Sequence, residues 1–122
     1  MPTLYEQLGG EPAVQELTER FYRKMLADER VSDFFDDIDM DRQLAKQKAF
    51  LTMVTGGPNH YTGKDMRTAH AHLLARGLND THVDVVVHYL GETLEELGAP
   101  AEAVATVRAA ANSLRDDVLG RR

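Results

Sequence analysis

The stretch Asp65–Gly77, DMRTAHAHLLARG, decides how this chain is read. Its apolar residues fall at helical spacing, and two histidines stand one residue apart within it. At roughly 100° per residue, with Met66 at zero, Leu73 falls near −20°, Gly77 near +20°, His70 near +40°, Ala69 near −60° and Leu74 near +80°. His70 therefore sits inside the apolar stripe of a helix. His72, at about −120° on the same wheel, points away from the stripe and is expected at the surface. A histidine in such a stripe has two readings: a core residue hydrogen-bonded to backbone, or a metal ligand aimed into an apolar pocket.

Helical spacing recurs on both sides of this stretch, and a strand-like alternation is sustained nowhere. In TLYEQL, Thr3 and Glu6 have capping-box spacing, and Gly9–Gly10 stops the helix. Pro12 suits the first turn of a second helix with apolar positions at Val14, Leu17, Phe21 and Met25. ADERVSDFFDDIDM is rich in aspartate and breaks the period, which predicts a short helix ending in a corner. A long helix is predicted from about Asp41 to Thr55, stopped by GGP at Gly56–Pro58. The polar loop NHYTGK leads into the histidine helix, which stops at Gly77. Asn79 or Asp80 caps another long helix through Leu97. Gly98 and Pro100 then turn the chain into a last helix to about Leu119. The expectation is an all-α protein, with one domain over residues 1–122 and no repeats, low-complexity tracts or linkers.

Composition narrows the function. A chain of 122 residues has room for one hydrophobic core and not for two. It has no cysteine, which excludes disulfides, thiolate metal sites, thiol catalysis and thioether attachment of haem through C-x-x-C-H. The start, MPTLYEQLGG, lacks the basic segment and apolar run of a signal peptide. No apolar run approaches the ~18 residues of a membrane span. A soluble, cytoplasmic protein is expected. The net charge of −6, from 14 basic and 20 acidic residues, argues against a nucleic-acid binder and favours solubility.

Polar groups inside the apolar stripes carry the functional reading. On the long helix the inward face reads Met40, Leu44, Gln47, Phe50, Leu51 and Val54. Gln47 stands mid-stripe, and Gln43 lies one turn before it. A buried amide left unpartnered costs about 1–3 kcal/mol, so Gln47 needs a partner. Tyr22 adjoins Phe21 on the inward side of the second helix, and its hydroxyl has the same need. Tyr22, Gln47 and His70 thus turn toward one apolar interior from three helices. Either they close into a buried polar network, or they surround a pocket in which a metal-bound small ligand meets all three.

Taken in order, TLYEQLGG, FYRKML, FFDDIDM, QKAFL, GGPNHYTG, MRTAH and the GAP-led last helix resemble the group I truncated haemoglobins. These are short globins with a two-over-two helical sandwich around a b-type haem. Single motifs such as Gly-Gly are weak, but the ordered set spans nearly the whole chain and is highly specific. The absence of Trp, with Val86 where group II and III proteins usually carry a pocket tryptophan, favours group I.

The resemblance implies that His70 is the proximal ligand of haem iron. It implies that Tyr22, Gln43 and Gln47 are the distal groups that hydrogen-bond bound O2. Phe35, second of the Phe pair, matches the phenylalanine that wedges the haem at the corner, and Phe50 an aromatic that packs on the porphyrin. Met66, Ala69, Leu73 and Val86 are expected to line the haem pocket, with Tyr61, Arg67 and Lys46 near the propionates. The physics agrees with these roles. Neutral imidazole is a good iron ligand when its other nitrogen has an acceptor. Bound O2 carries partial negative charge that phenol and amide donors stabilise. The implied function is reversible binding of O2, and of other diatomic ligands such as NO and CO, by non-covalent haem b. Nitric oxide dioxygenation served by an unidentified reductase is an extension that the same residues suit.

The chain departs from related cyanobacterial proteins in two places. They carry a histidine one position before the match to Gln47, where this chain has Lys46. A solvated lysine, a propionate partner and a sixth iron ligand all remain open for it. Some also attach haem through a histidine on the last helix, and VRAAANSLRDDVLGRR has none, so covalent linkage by that route is not expected. Two other functions compete. A metal-carboxylate bundle wants paired Glu-x-x-His motifs, and no histidine here has a Glu three residues before it; Asp84 and His88 come nearest and read as a solvated pair. A cofactor-free interaction module would leave His70 a core residue.

Overall fold

The computed structural model describes residues 3–36, 39–58 and 63–121, with the backbone alone for residues 63–66 and 69. The described helices are α1 (Leu4–Leu8), α2 (Glu11–Leu26), α3 (Glu29–Ser32), α4 (Met40–Val54), α5 (Gly63–Leu74), α6 (Asp80–Glu96), α7 (Ala101–Ser113) and α8 (Arg115–Val118). A 3₁₀ turn, Asp33–Phe35, follows α3 directly. The fold is all-α, as its periodicity predicts.

Local chemistry explains where the helices begin. The Thr3 hydroxyl accepts from the Glu6 N–H at 3.2 Å, and Gly9 ends α1 at φ +118°, a left-handed conformation that glycine adopts without a Cβ clash. Asp39 caps α4 by accepting from the N–H groups of Asp41 and Arg42, at 3.1 and 3.2 Å. At the start of α6, Asn79 accepts from the Thr81 N–H at 2.9 Å. His82 Nδ1 accepts from the Asn79 N–H at 3.0 Å, so an imidazole takes the place that Glu or Gln holds in the usual capping box.

Packing makes two layers. α2 lies against α4, and α6 against α7, while contacts of α2 with α6 and of α4 with α7 join the pairs. Val14, Leu17, Phe21 and Met25 of α2 are buried as expected, against Leu51 of α4, Leu90 and Leu94 of α6, and Val104 and Val107 of α7. Each such side chain contributes about 1.5–3 kcal/mol relative to exposure. Two glycines set close approaches. A Cβ on Gly57 would stand 2.5 Å from the Tyr5 ring, and the Tyr5 N–H donates to Thr55 O at 2.8 Å, which ties α1 to the end of α4. Gly91, inside α6, lets the Arg108 guanidinium lie across the helix where a Cβ would be.

Two features differ from the sequence reading. The last helix is not continuous to Leu119 but breaks at Leu114, whose N–H bonds to Ala111 O, and resumes as α8. Ser113 Oγ donates to Ala110 O at 2.6 Å just before the break, and Arg115 beyond it reaches Asp80 and Asp84. The short α8 then packs on α5. On α4, only Leu51 of the expected inward face is buried; Leu44, Gln47, Phe50 and Val54 are half-buried and Met40 is exposed. No helix among the described residues is long and apolar enough to cross a membrane.

Candidate functional site

The half-buried face of α4 is explained by what it borders. A cavity of about 270 Å³ lies between α4, α5, α6 and the α3 corner. α4 contributes Gln43, Lys46, Gln47 and Phe50; α5 contributes His70, His72 and Leu73; α6 contributes His82 and Val86. Phe21 and Met25 close it from α2, and Val31, Phe34 and Phe35 from the corner, with Leu78 from the turn before α6. The lining is mainly apolar, with a few polar groups placed among it, as in small-molecule and cofactor sites generally.

Of the residues expected at the site, the structure brings Phe35, Gln43, Lys46, Gln47, Phe50, His70, Leu73 and Val86 together around this cavity. His70 is half-buried. Lys46 is exposed yet borders the cavity, so it stands where the cavity meets solvent. Two expected residues are not in the lining. Tyr22 is 3% exposed and stands behind Phe35, the ring centroids 5.2 Å apart and the planes at 69°. Its hydroxyl donates to Met40 Sδ at 3.4 Å. Burial pushes the Tyr22 phenol up from its ordinary pKa, so it stays protonated and can donate. Arg67 is turned outward and pairs with Asp117 at 3.0 Å, which joins α5 to α8. Tyr61 lies outside the described residues, as do the side chains of Met66 and Ala69.

The closed Tyr22–Gln47–His70 network does not form. Tyr22 spends its hydrogen on Met40, and Gln47 Oε1 is buried without a hydrogen-bond partner among the described residues. An unpartnered buried acceptor is uncommon in native proteins and calls for a partner such as a ligand or an ordered water. The amide can turn over, so this position offers a donor or an acceptor to a ligand. These residues fit a haem: an imidazole on one helix, amides on another, aromatic and aliphatic walls between them, and a cationic side chain at the mouth.

Several cavity residues escaped the sequence reading. His72 is exposed, as its phase predicts, but it also borders the cavity, because the cavity reaches the surface beside α5. His82 lies one turn before Val86 and shares its face; that spacing was the available signal. Its ring stands edge-on to Phe34, with centroids 4.8 Å apart. Phe34 also lies under the Arg76 guanidinium at 5.6 Å. The aspartate and histidine read as a solvated pair take other partners: Asp84 meets Arg115 at 2.5 Å, and His88 meets Glu92 at 3.2 Å. Among the described residues, no group of three or more His, Asp or Glu is placed to hold a metal ion.

Paired helices thus surround an apolar cavity that a histidine lines. The family model for bacterial-like globins matches residues 3–119. The group 1 truncated hemoglobin of Tetrahymena pyriformis is 44% identical over 119 residues, covering 98% of this chain and 96% of that protein. The group 1 truncated hemoglobin GlbN of Synechocystis is 46% identical over 114 residues, covering 93% and 92%. The crystal structure of the 2/2 hemoglobin from Synechococcus sp. PCC 7002, in the cyanomet state and with covalently attached heme, superposes with a TM-score of 0.89 at 41% identity, covering 98% and 100%. The chain belongs to the bacterial-like globins, as a group I truncated haemoglobin with the two-over-two fold. Membership of this family implies a haem cofactor and binding of diatomic gases such as O2.

Proposed function

We propose that the whole chain forms one domain holding a non-covalent haem b in this cavity, and that it binds O2 reversibly. Gln47 carries the reading: a buried amide oxygen without a partner, on a residue that lines the same cavity as His70. The bound group would supply an iron centre able to take a diatomic ligand. His70 would hold that iron through one neutral ring nitrogen, its orientation set by α5. Gln43 and Gln47, one turn apart on α4, would offer amide hydrogens to the ligand. Tyr22 would offer its hydroxyl from behind Phe35.

Phe35, Phe50, Leu73 and Val86 supply the apolar walls that exclude water. Lys46 at the mouth suits a carboxylate edge. Non-covalent retention is favoured because residues 101–122 contain no histidine, in contrast to the attachment described for the Synechococcus protein. The same donors suit NO and CO binding, and NO consumption once a reductase restores the iron.

The test is a visible absorption spectrum of the purified protein loaded with haem, followed by O2 and NO kinetics. An intense Soret band that sharpens and shifts with CO is expected. A protein that takes up no haem would end the proposal.

A further inference from the structure

We propose that Met40 is a site of reversible sulfur oxidation that controls where the Tyr22 hydroxyl points. The proposal rests on the distal role given above to Tyr22. Met40 opens α4 and is 44% exposed, so a small oxidant in solution can reach this residue. Its sulfur nevertheless has a specific partner, because Tyr22 Oη donates to it at 3.4 Å. Tyr22 is otherwise buried, and its ring packs edge-on against Phe35, which lines the cavity. The pair therefore links the thioether of a partly exposed residue to the cavity wall through one hydroxyl. Met25, by contrast, is 1% exposed, and Met53 is half-buried.

A thioether is a weak acceptor, so Tyr22 loses little by turning its hydrogen from Met40 to a ligand. Oxidation alters that balance. A small peroxide transfers one oxygen to the sulfur: the O–O bond breaks, an S–O bond forms, sulfur gives up two electrons, and the remaining oxygen leaves as water or alcohol. The product is a methionine sulfoxide, which methionine sulfoxide reductases return to the thioether. Its oxygen is a strong, dipolar acceptor at the place where the sulfur stood. Tyr22 is then held toward Met40 and withdrawn from the ligand, and ligand release quickens. The protein would loosen its hold on O2 when peroxide is present and recover when the sulfoxide is reduced.

The experiment treats CO-saturated haem-loaded protein with hydrogen peroxide, stops the reaction with catalase, and maps sulfoxides by peptide mass spectrometry. Met40 is expected to oxidise ahead of Met25 and Met53. O2 dissociation from the oxidised protein should rise about fivefold, the equivalent of one ordinary hydrogen bond, and return after reductase treatment. Met40→Gln, which presents a carbonyl oxygen in place of sulfur, should reproduce the rise without oxidant. Met40→Leu should keep its own dissociation rate through the same peroxide treatment. Oxidation of Met40 no faster than Met25, or wild-type release from Met40→Gln while Tyr22→Phe releases faster, overturns the proposal alone. Wild-type release from Tyr22→Phe overturns the distal role of Tyr22, and the control proposed for Met40 falls with it.

Discussion

Gln47 on α4 and His70 on α5 line one cavity, yet the buried Oε1 of Gln47 has no hydrogen-bond partner among the described residues. A polar group left unpaired in the apolar wall of a cavity that an imidazole also lines is an arrangement that a ligand could complete.

His70→Ala should lose haem or hold it far more weakly, and added imidazole should partly restore the spectrum. His72→Ala should leave the Soret band in place, because His72 is exposed and stands at the rim. Haem titrations of both variants decide the matter. Loss of haem in the His72 variant and not in the His70 variant would exchange their roles.

Gln47→Leu and Tyr22→Phe should each quicken O2 dissociation. Removal of one ordinary hydrogen bond, ~1 kcal/mol, corresponds to about fivefold in rate. The double variant should fall short of the product of the single effects, since both groups serve one ligand. Stopped-flow release from the four proteins tests this; release unchanged in both single variants removes them from the distal site.

Lys46→Ala should raise the rate of haem loss to an acceptor globin while the ligand-bound spectra stay as they are. That outcome follows from its place at the cavity mouth, where an amine would meet the carboxylate edge of the proposed haem. A ferric spectrum that changes with rising pH in the wild type and not in Lys46→Ala would instead assign the lysine to the iron.

Acid stability should depend on Asp28. Its carboxylate accepts from the Arg30 side chain at 2.7 and 3.0 Å, from the Tyr89 hydroxyl at 2.5 Å, and from the Arg30 N–H at 2.9 Å. The Arg30 guanidinium, then Tyr89, hold its pKa well below the usual carboxylate range. With the folded-state pKa depressed, the stabilisation is present above the unfolded-state value and is lost as pH falls through and below it. Asp28→Asn should lower Tm at pH 7, and the difference should shrink as pH drops below the carboxylate range. Thermal melts from pH 7 to pH 2.5 measure it; parallel curves would show that the charge of Asp28 is immaterial.

Gly57→Ala should cost about 1–3 kcal/mol, because the new methyl meets the Tyr5 ring at 2.5 Å where α1 is tied to the end of α4. Gly91→Ala should cost less. There the methyl meets the end of the Arg108 side chain, which can swing away, and alanine favours the helix. Denaturant midpoints of the two variants compare them directly, and an equal or larger loss at Gly91 would mean that Arg108 is held in place.

Much of this protein was determined by sequence alone, because the signals are local. The caps Thr3, Asp39 and Asn79 act on backbone groups within three residues, and the stripe Val14–Leu17–Phe21–Met25 needs only helical phase to be recognised. Phase also separated the half-buried His70 from the exposed His72, and it marked Gln47 as an amide in an apolar face. Which polar groups meet was decided by tertiary structure. Tyr22 finds Met40 across 18 residues, Arg67 finds Asp117 across 50, and Arg115 finds Asp80 across 35. The break at Leu114, and the arrival of Phe34, His72 and His82 at the cavity, follow from how α8, the α3 corner and α6 dock against their neighbours. Periodicity states which face of a helix turns inward. The docking of one helix on another, set by the summed packing of side chains distant in sequence, chooses what that face meets.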